Sequence, residues 1–203
     1  MTNLSALKTA CAIFLLCAAI TIVARAQTFT SLATFDFTNG ANPSSLSLVQ
    51  GIDGNLYGTT VSGGSLACIG GCGTIFRITT SGALTSLYSF CAQAGCADGI
   101  NPYAGLIQGT DGNLYGTTSG GGQFRGGTVF KMTLDGTFTS LYSFCTQANC
   151  ADGGYPEAAL IQGTDGNFYG TTWAGGTDGA GTVFQITSMG KLTTIGNFNM
   201  QNG

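Results

Sequence analysis

Histidine is absent from this 203-residue chain, and Asp, Glu, Lys and Arg together supply only 7% of it. Without histidine, the commonest general base and the commonest metal ligand are both missing. The 6 basic residues are scattered. No patch of them could track a phosphate backbone, so nucleic acid is not an expected partner. Proline occurs 3 times and tryptophan once, as Trp173, while Glu157 is the one glutamate. After residue 26 no apolar run approaches the roughly 20 residues of a spanning helix. Helical periodicity is missing from the same stretch.

Glycine and apolar residues are what the chain has instead, at 34 residues and 43% respectively. Low charge with that apolar share does not fit disorder. It fits a β-rich chain in which glycine supplies the positive-φ positions of many tight turns.

Residues 1–26 read as a secretory signal. Lys8 gives the basic start, Ala10 to Ala24 the apolar centre, and Ala24-Arg25-Ala26 the small-x-small site before Gln27. A lipid-anchored Cys17 is disfavoured by the bulky Leu16 before it. The mature chain, 27–203, keeps Arg77, Arg125, Lys131 and Lys191 against nine acidic groups, a net charge of −5. Its expected location is secreted or at the cell surface.

Removing the signal leaves six of the 8 cysteines, in close pairs: Cys68/Cys72, Cys91/Cys96 and Cys145/Cys150. An even count in an exported chain argues for disulfides, although six cysteines allow about 15 connectivities. A zinc site is poorly supported, because the chain has neither a histidine nor a CxxC spacing.

One phrase occurs three times: Asp53-Gly54-Asn55-Leu56-Tyr57-Gly58-Thr59-Thr60, then Asp111 to Thr118, then Asp165 to Thr172. Around each copy lie four short β segments, in the third unit Ala158 to Gly163, Asn167 to Thr172, Gly181 to Thr187 and Lys191 to Phe198. Four hairpin-linked strands repeated at a period near 54 describe the blade of a β-propeller. A β-helix usually has shorter coils. The expected fold is therefore an all-β, propeller-like array of four-stranded antiparallel blades at about 44–90, 103–144 and 157–198.

Residues 28–37 match the fourth strands at Leu84 to Phe90 and Phe138 to Phe144, and so read as an orphan outer strand. Residues 199–203 mirror 36–40 and read as the start of a further repeat. Propellers need about four blades or more to close. The chain is thus expected to be a truncated product, with self-association of copies as the alternative.

The pattern Ala-x-Leu-Ile-Gln-Gly-Thr-Asp-Gly-Asn-Phe-Tyr-Gly-Thr-Thr, followed by Gly-Thr-Val-Phe-Gln-Ile-Thr and Leu-Thr-Thr, closely resembles the GloVer tandem repeat over nearly all of 28–203. More distantly it resembles the Asp-Gly-Asn-Leu-Trp repeats of regulator-type propellers. The resemblance implies export and a propeller-like fold, and no defined activity, so no catalytic residue is carried over. It also leads one to expect a C-terminal anchor, and this chain departs from the pattern in showing none.

The repeated acids Asp53, Asp111 and Asp165 have two readings. Calcium could take their oxygens, but Asp-Gly-Asn is poorer in acids than calcium loops, so a turn role is favoured. Tyr57, Tyr115 and Tyr169 read as packing between blades rather than as a sugar-stacking ring. A glycosidase-type carboxylate pair such as Asp152 and Asp178 finds no support in spacing. No cofactor is expected.

The cysteines carry the informative signal. The loops after Phe90 and Phe144 are four residues longer than the one after Phe35, and each holds one Cys pair. The loop containing Cys68/Cys72 is also four longer than its counterparts. A local disulfide would staple each insertion. In an up-down-up-down blade these loops share one face, together with Tyr103, Phe124, Arg125, Tyr155, Glu157, Trp173 and Asp178. Varied loops on a rigid scaffold are where recognition usually sits. The expectation is a non-catalytic module binding protein or carbohydrate through that face, with a glycan-active enzyme or a purely structural surface segment as alternatives.

Overall fold

A computed structural model describes residues 28–43, 47–199 and 201. The expected signal segment lies outside the described residues. The chain divides into two compact units, Met1–Ser31 and Leu32–Gly203. Of the first, residues 28–31 are exposed coil.

Among its described residues the second unit holds twelve strands in three sheets. Sheet one holds β1 (Val49–Gln50), β2 (Leu56–Thr60), β3 (Thr74–Ile78) and β4 (Leu84–Ser89). Sheet two holds β5 (Ile107–Gln108), β6 (Leu114–Thr118), β7 (Thr128–Met132) and β8 (Phe138–Ser143). Sheet three holds β9 (Ile161–Gln162), β10 (Phe168–Thr172), β11 (Thr182–Ile186) and β12 (Leu192–Asn197). Every pairing is antiparallel and follows chain order, so each sheet is one repeat and the array is propeller-like. Three blades are present and no closed ring forms among the described residues.

The repeated phrase accounts for its own geometry. In blade one the chain turns at Gly51–Gly54, where the Gly54 N–H reaches the Gly51 carbonyl at 2.9 Å and Gly54 sits at φ +81°. Asp53 Oδ1 accepts the Asn55 N–H, and Oδ2 accepts both the Asn55 amide and the Tyr57 hydroxyl at 2.7 Å. The same three bonds recur at Asp111 and Asp165. Both carboxylate oxygens are therefore committed within their own hairpin. The glycine inside each strand has a packing reason. A Cβ on Gly58, Gly116 or Gly170 would lie 2.6, 2.6 or 2.5 Å from the Phe76, Phe130 or Phe184 ring. The second threonine of each phrase pairs its hydroxyl with the first residue of the next strand, Thr60 with Thr74, Thr118 with Thr128 and Thr172 with Thr182, at 2.8–2.9 Å.

Blades pack through aromatic rings. Phe90 at the end of blade one meets Phe130 of blade two at 5.4 Å, edge to face, and Phe144 meets Phe184 at 5.2 Å. Such geometry adds to area burial by about 0.5–1.5 kcal/mol per pair. Tyr57 and Tyr115 are fully buried at the seams, Tyr115 stacking on Phe168 at 3.9 Å.

Residues 28–37, expected as an outer strand, carry no ladder. Phe35 nevertheless contacts Phe76 at 5.0 Å, as Phe90 contacts Phe130. The segment from Leu32 thus sits where the preceding blade's outer strand would end. Extended backbone becomes a strand only where a neighbouring segment shares a ladder with it. The inner strands are also shorter than expected, two residues each, and at that edge the Ala158 carbonyl accepts the Thr117 hydroxyl of blade two.

Burial, reinforced by the bond to Asp53, pushes the Tyr57 phenol up to about 12, and burial with help from Asp152 does the same for Tyr142. A raised folded value favours the protonated phenol in the native state. Stability is then fully present below the unfolded value near 10 and declines as pH rises from about 10 to about 12. Urea midpoints measured at pH 9, 10 and 11 should fall in that order. A flat series would contradict the assignment.

Candidate functional face

Antiparallel strands in chain order put the turns between first and second and between third and fourth strands at one end of each blade. The second-to-third loops and the connections between blades lie at the other. Isolated bridges tie these two kinds of loop together: Ala41 with Ser62, Ile100 with Gly120, and Gly154 with Ala174. The loop face is thus hydrogen-bonded to itself across the blades.

Three disulfides join Cys68 to Cys72, Cys91 to Cys96 and Cys145 to Cys150. Each is local, separated by 4, 5 and 5 residues. So small a ring removes about 2 kcal/mol of chain entropy, less than a long one would. The one group of cysteine and acidic donors close enough to hold a metal, among the described residues, is Cys68, Cys91 and Cys96. All three sulfurs are in disulfides and so lack the thiolate a metal needs.

Each of the two longer connecting loops closes on a buried aspartate, which the sequence reading did not single out for this role. Asp98 is fully buried and accepts the Tyr88 hydroxyl at 2.8 Å and the Ala92 and Gln93 N–H groups at 2.9 and 3.2 Å. Asp152 repeats this with Tyr142, Thr146 and Gln147. A single 3-10 turn follows in each loop, Ala94–Cys96 and Ala148–Cys150, with Gly95 and Asn149 at positive φ. Asp152 is therefore enclosed, whereas Asp178 is exposed and bonded to the Thr177 hydroxyl.

On this scaffold Tyr103 is 48%, Phe124 46%, Tyr155 43% and Trp173 72% exposed. Exposed aromatics scattered singly are ordinary, and only those that lie together carry information. The Tyr155 and Trp173 rings meet edge to face, with centroids 6.5 Å apart. Glu157 and Trp173 line one open cavity of about 500 Å³ with Thr171, Thr172, Ala180 and Phe198. Arg125 lines another, of about 390 Å³, with Cys96, Ile100 and Gly120. Tyr103, Phe124 and Asp178 line neither. Phe198 was not among the expected site residues, although its alignment with Phe90 and Phe144 marks its position.

These features define a propeller-like repeat protein with one disulfide-braced loop face. The chain belongs to the Gloeobacter/Verrucomicrobia repeat family, whose pattern matches residues 17–203. No curated protein sequence matches it. Among solved structures it is similar to a streptogramin B lyase at 16% identity and a TM-score of 0.46, over 76% of this chain and 41% of that one. It is similar to virginiamycin B lyase from Staphylococcus aureus at 18% and 0.47, over 77% and 42%. A luciferin-regenerating enzyme matches at 16% and 0.46, over 73% and 45%. The chain thus spans less than half the length of these structures.

Proposed function

We propose that the protein is an exported, non-catalytic binding module that holds a carbohydrate ligand on its braced loop face. The observation carrying this reading is the edge-to-face pair of Tyr155 and Trp173, both exposed and both presented by loops fixed through backbone hydrogen bonds and the Cys145–Cys150 disulfide. An aromatic platform buries the apolar face of a sugar ring, and nearby polar groups orient its hydroxyls. Glu157 supplies such a group beside Trp173. Export rests on residues 1–26 as a signal cleaved before Gln27, and three disulfides suit an oxidising compartment.

A panel of neutral, amino and acidic glycans, read by calorimetry on the oxidised chain, tests the proposal. Binding should occur without turnover, and Trp173→Ala should weaken it about 10-fold or more, the loss typical of an aromatic anchor. Affinity unchanged by that substitution would sink the reading. Cleavage of a glycan, abolished by Asp178→Asn, would replace it with the enzyme reading. A protein partner captured through the same residues would replace sugar with protein.

A further inference from the structure

Two of the three disulfides meet, and the third stands apart. The Sγ atoms of Cys68, Cys91 and Cys96 all lie within 4.8 Å of one another, so the Cys68–Cys72 bridge abuts the Cys91–Cys96 bridge. Cys68 and Cys72 belong to the loop between β2 and β3, whereas Cys91 and Cys96 belong to the connection from blade one to blade two. Backbone bonds hold these two loops together. The Phe90 N–H reaches the Gly73 carbonyl at 3.0 Å, and the Asn101 N–H reaches the Cys72 carbonyl at 2.9 Å. Cys68 and Cys91 both pack against the core cluster that contains Cys72.

Blade two repeats this frame without the second bridge. The Phe144 N–H bonds the Gly127 carbonyl at 3.0 Å and the Tyr155 N–H bonds that of Gly126 at 2.7 Å. Gly126 therefore stands in the place of Cys72, and Cys145 in that of Cys91. A Cβ on Gly126 would lie 2.6 Å from Cys145 Sγ. The close approach of the two loops is thus a property of the repeat, and blade one fills it with sulfur from both sides. Burial then gives the sulfurs unequal parts. Cys72 is wholly buried, whereas Cys68, Cys91 and Cys96 are half-buried. Buried cysteines are inert, and partly exposed ones react.

We propose that this cluster is a thiol–disulfide exchange site that takes a dithiol as its substrate. The dithiol reduces the Cys68–Cys72 bond, is itself oxidised to a disulfide, and leaves thiols on Cys68 and Cys72. Cys72 stays enclosed in the core, and Cys68 becomes the attacking group. As its thiolate, Cys68 attacks Sγ of Cys91 or Cys96, the only form of the group that can do so. A new S–S bond to Cys68 forms, the Cys91–Cys96 bond breaks, and the displaced sulfur leaves as a thiolate that takes up the proton Cys68 gave up. No electrons enter or leave in this second step. The disulfide has moved from within one loop to between two. It closes a longer stretch of chain than either original bridge and so removes more entropy from the unfolded chain. Cys145–Cys150, which braces Tyr155 and Trp173, takes no part, so the aromatic platform keeps its support.

Cys72→Ser tests the exchange step directly, because it leaves Cys68 without its native partner. Labelling with N-ethylmaleimide after an acid quench should find the free thiol spread over Cys68, Cys91 and Cys96. At least about a tenth should fall on the last two together, the share that remains even where exchange favours the native bridge about ten-fold. Cys150→Ser is the control: Cys145 faces Gly126 rather than a second bridge, so label should stay on Cys145. The parent chain under limiting dithiothreitol needs no substitution and decides the matter if Cys72→Ser fails to fold. Its non-reduced peptide map, taken on single-chain fractions, should contain Cys68 joined to Cys91 or Cys96. Label confined to Cys68 in the folded variant, or no such peptide from the parent, would overturn the proposal. So would peptides joining these cysteines to Cys145 or Cys150, which only an unfolded chain could form.

Discussion

Phe130→Ala is expected to lower unfolding stability by about 4 kcal/mol, the usual cost of removing a fully buried phenylalanine. The ring is completely enclosed. It contacts Phe90 of blade one and Phe138 of its own blade, both at 5.4 Å, and lies across the bare backbone of Gly116. Neighbouring strands cannot collapse into the space, because the ladders on both sides of β7 hold their spacing. The loss falls on the seam between blades one and two, and repeat arrays draw stability from such nearest-neighbour terms. Chemical unfolding should then show a broader transition as well as a lower midpoint. Ile195→Ala, on a side chain 54% exposed, serves as the contrast and should stay within about 0.5 kcal/mol. Equal losses at the two positions would mean that the seam contributes little.

Asp98→Ala is the second large effect. The substitution leaves the Tyr88 hydroxyl and the Ala92 and Gln93 N–H groups without their acceptor in a fully buried site. Each such group costs about 1–3 kcal/mol when unsatisfied. Partial rescue by water entering from the nearby loop surface puts the total at about 3 kcal/mol. The damage should be local, with protease cleavage appearing between Cys91 and Asp98 before global unfolding. Asp98→Asn keeps an acceptor oxygen and should restore most of the protection. If the alanine chain resists cleavage as well as the parent, the Cys91–Cys96 disulfide alone shapes that loop.

The pair of effects separates two supports of the loop face. Blade packing fixes where the loops begin and end, and a buried carboxylate fixes the path between. The disulfides add local rigidity to a path that Asp98 and Asp152 already direct. The aromatic platform at Tyr155 and Trp173 inherits its position from both, since the Tyr155 N–H bonds to the Gly126 carbonyl and the Trp173 N–H to the Tyr155 carbonyl.

Much of the architecture was legible in the sequence because it is written three times. Alternation in segments such as Val183, Phe184, Gln185 and Ile186, together with Asp-Gly turns, located the strands, and the repeat period grouped them into blades. The Cys pairs were legible for the same reason: aligned copies show that each pair accompanies an insertion. The structure was needed for what depends on a neighbour across the seam. That Gly116 must stay bare follows only from the Phe130 ring above it. That Asp98 is a loop's buried acceptor follows only from Tyr88 folding back over it. Residues 32–37 are strand-like in sequence yet form no ladder, because a ladder is a property of two segments. Tyr57, Tyr115 and Tyr169 are alike in sequence but not in exposure, because among the described residues only the first two are covered by a following blade. Local pattern determined the repeat, and contacts between repeats decided which of its copies are buried and which stay exposed.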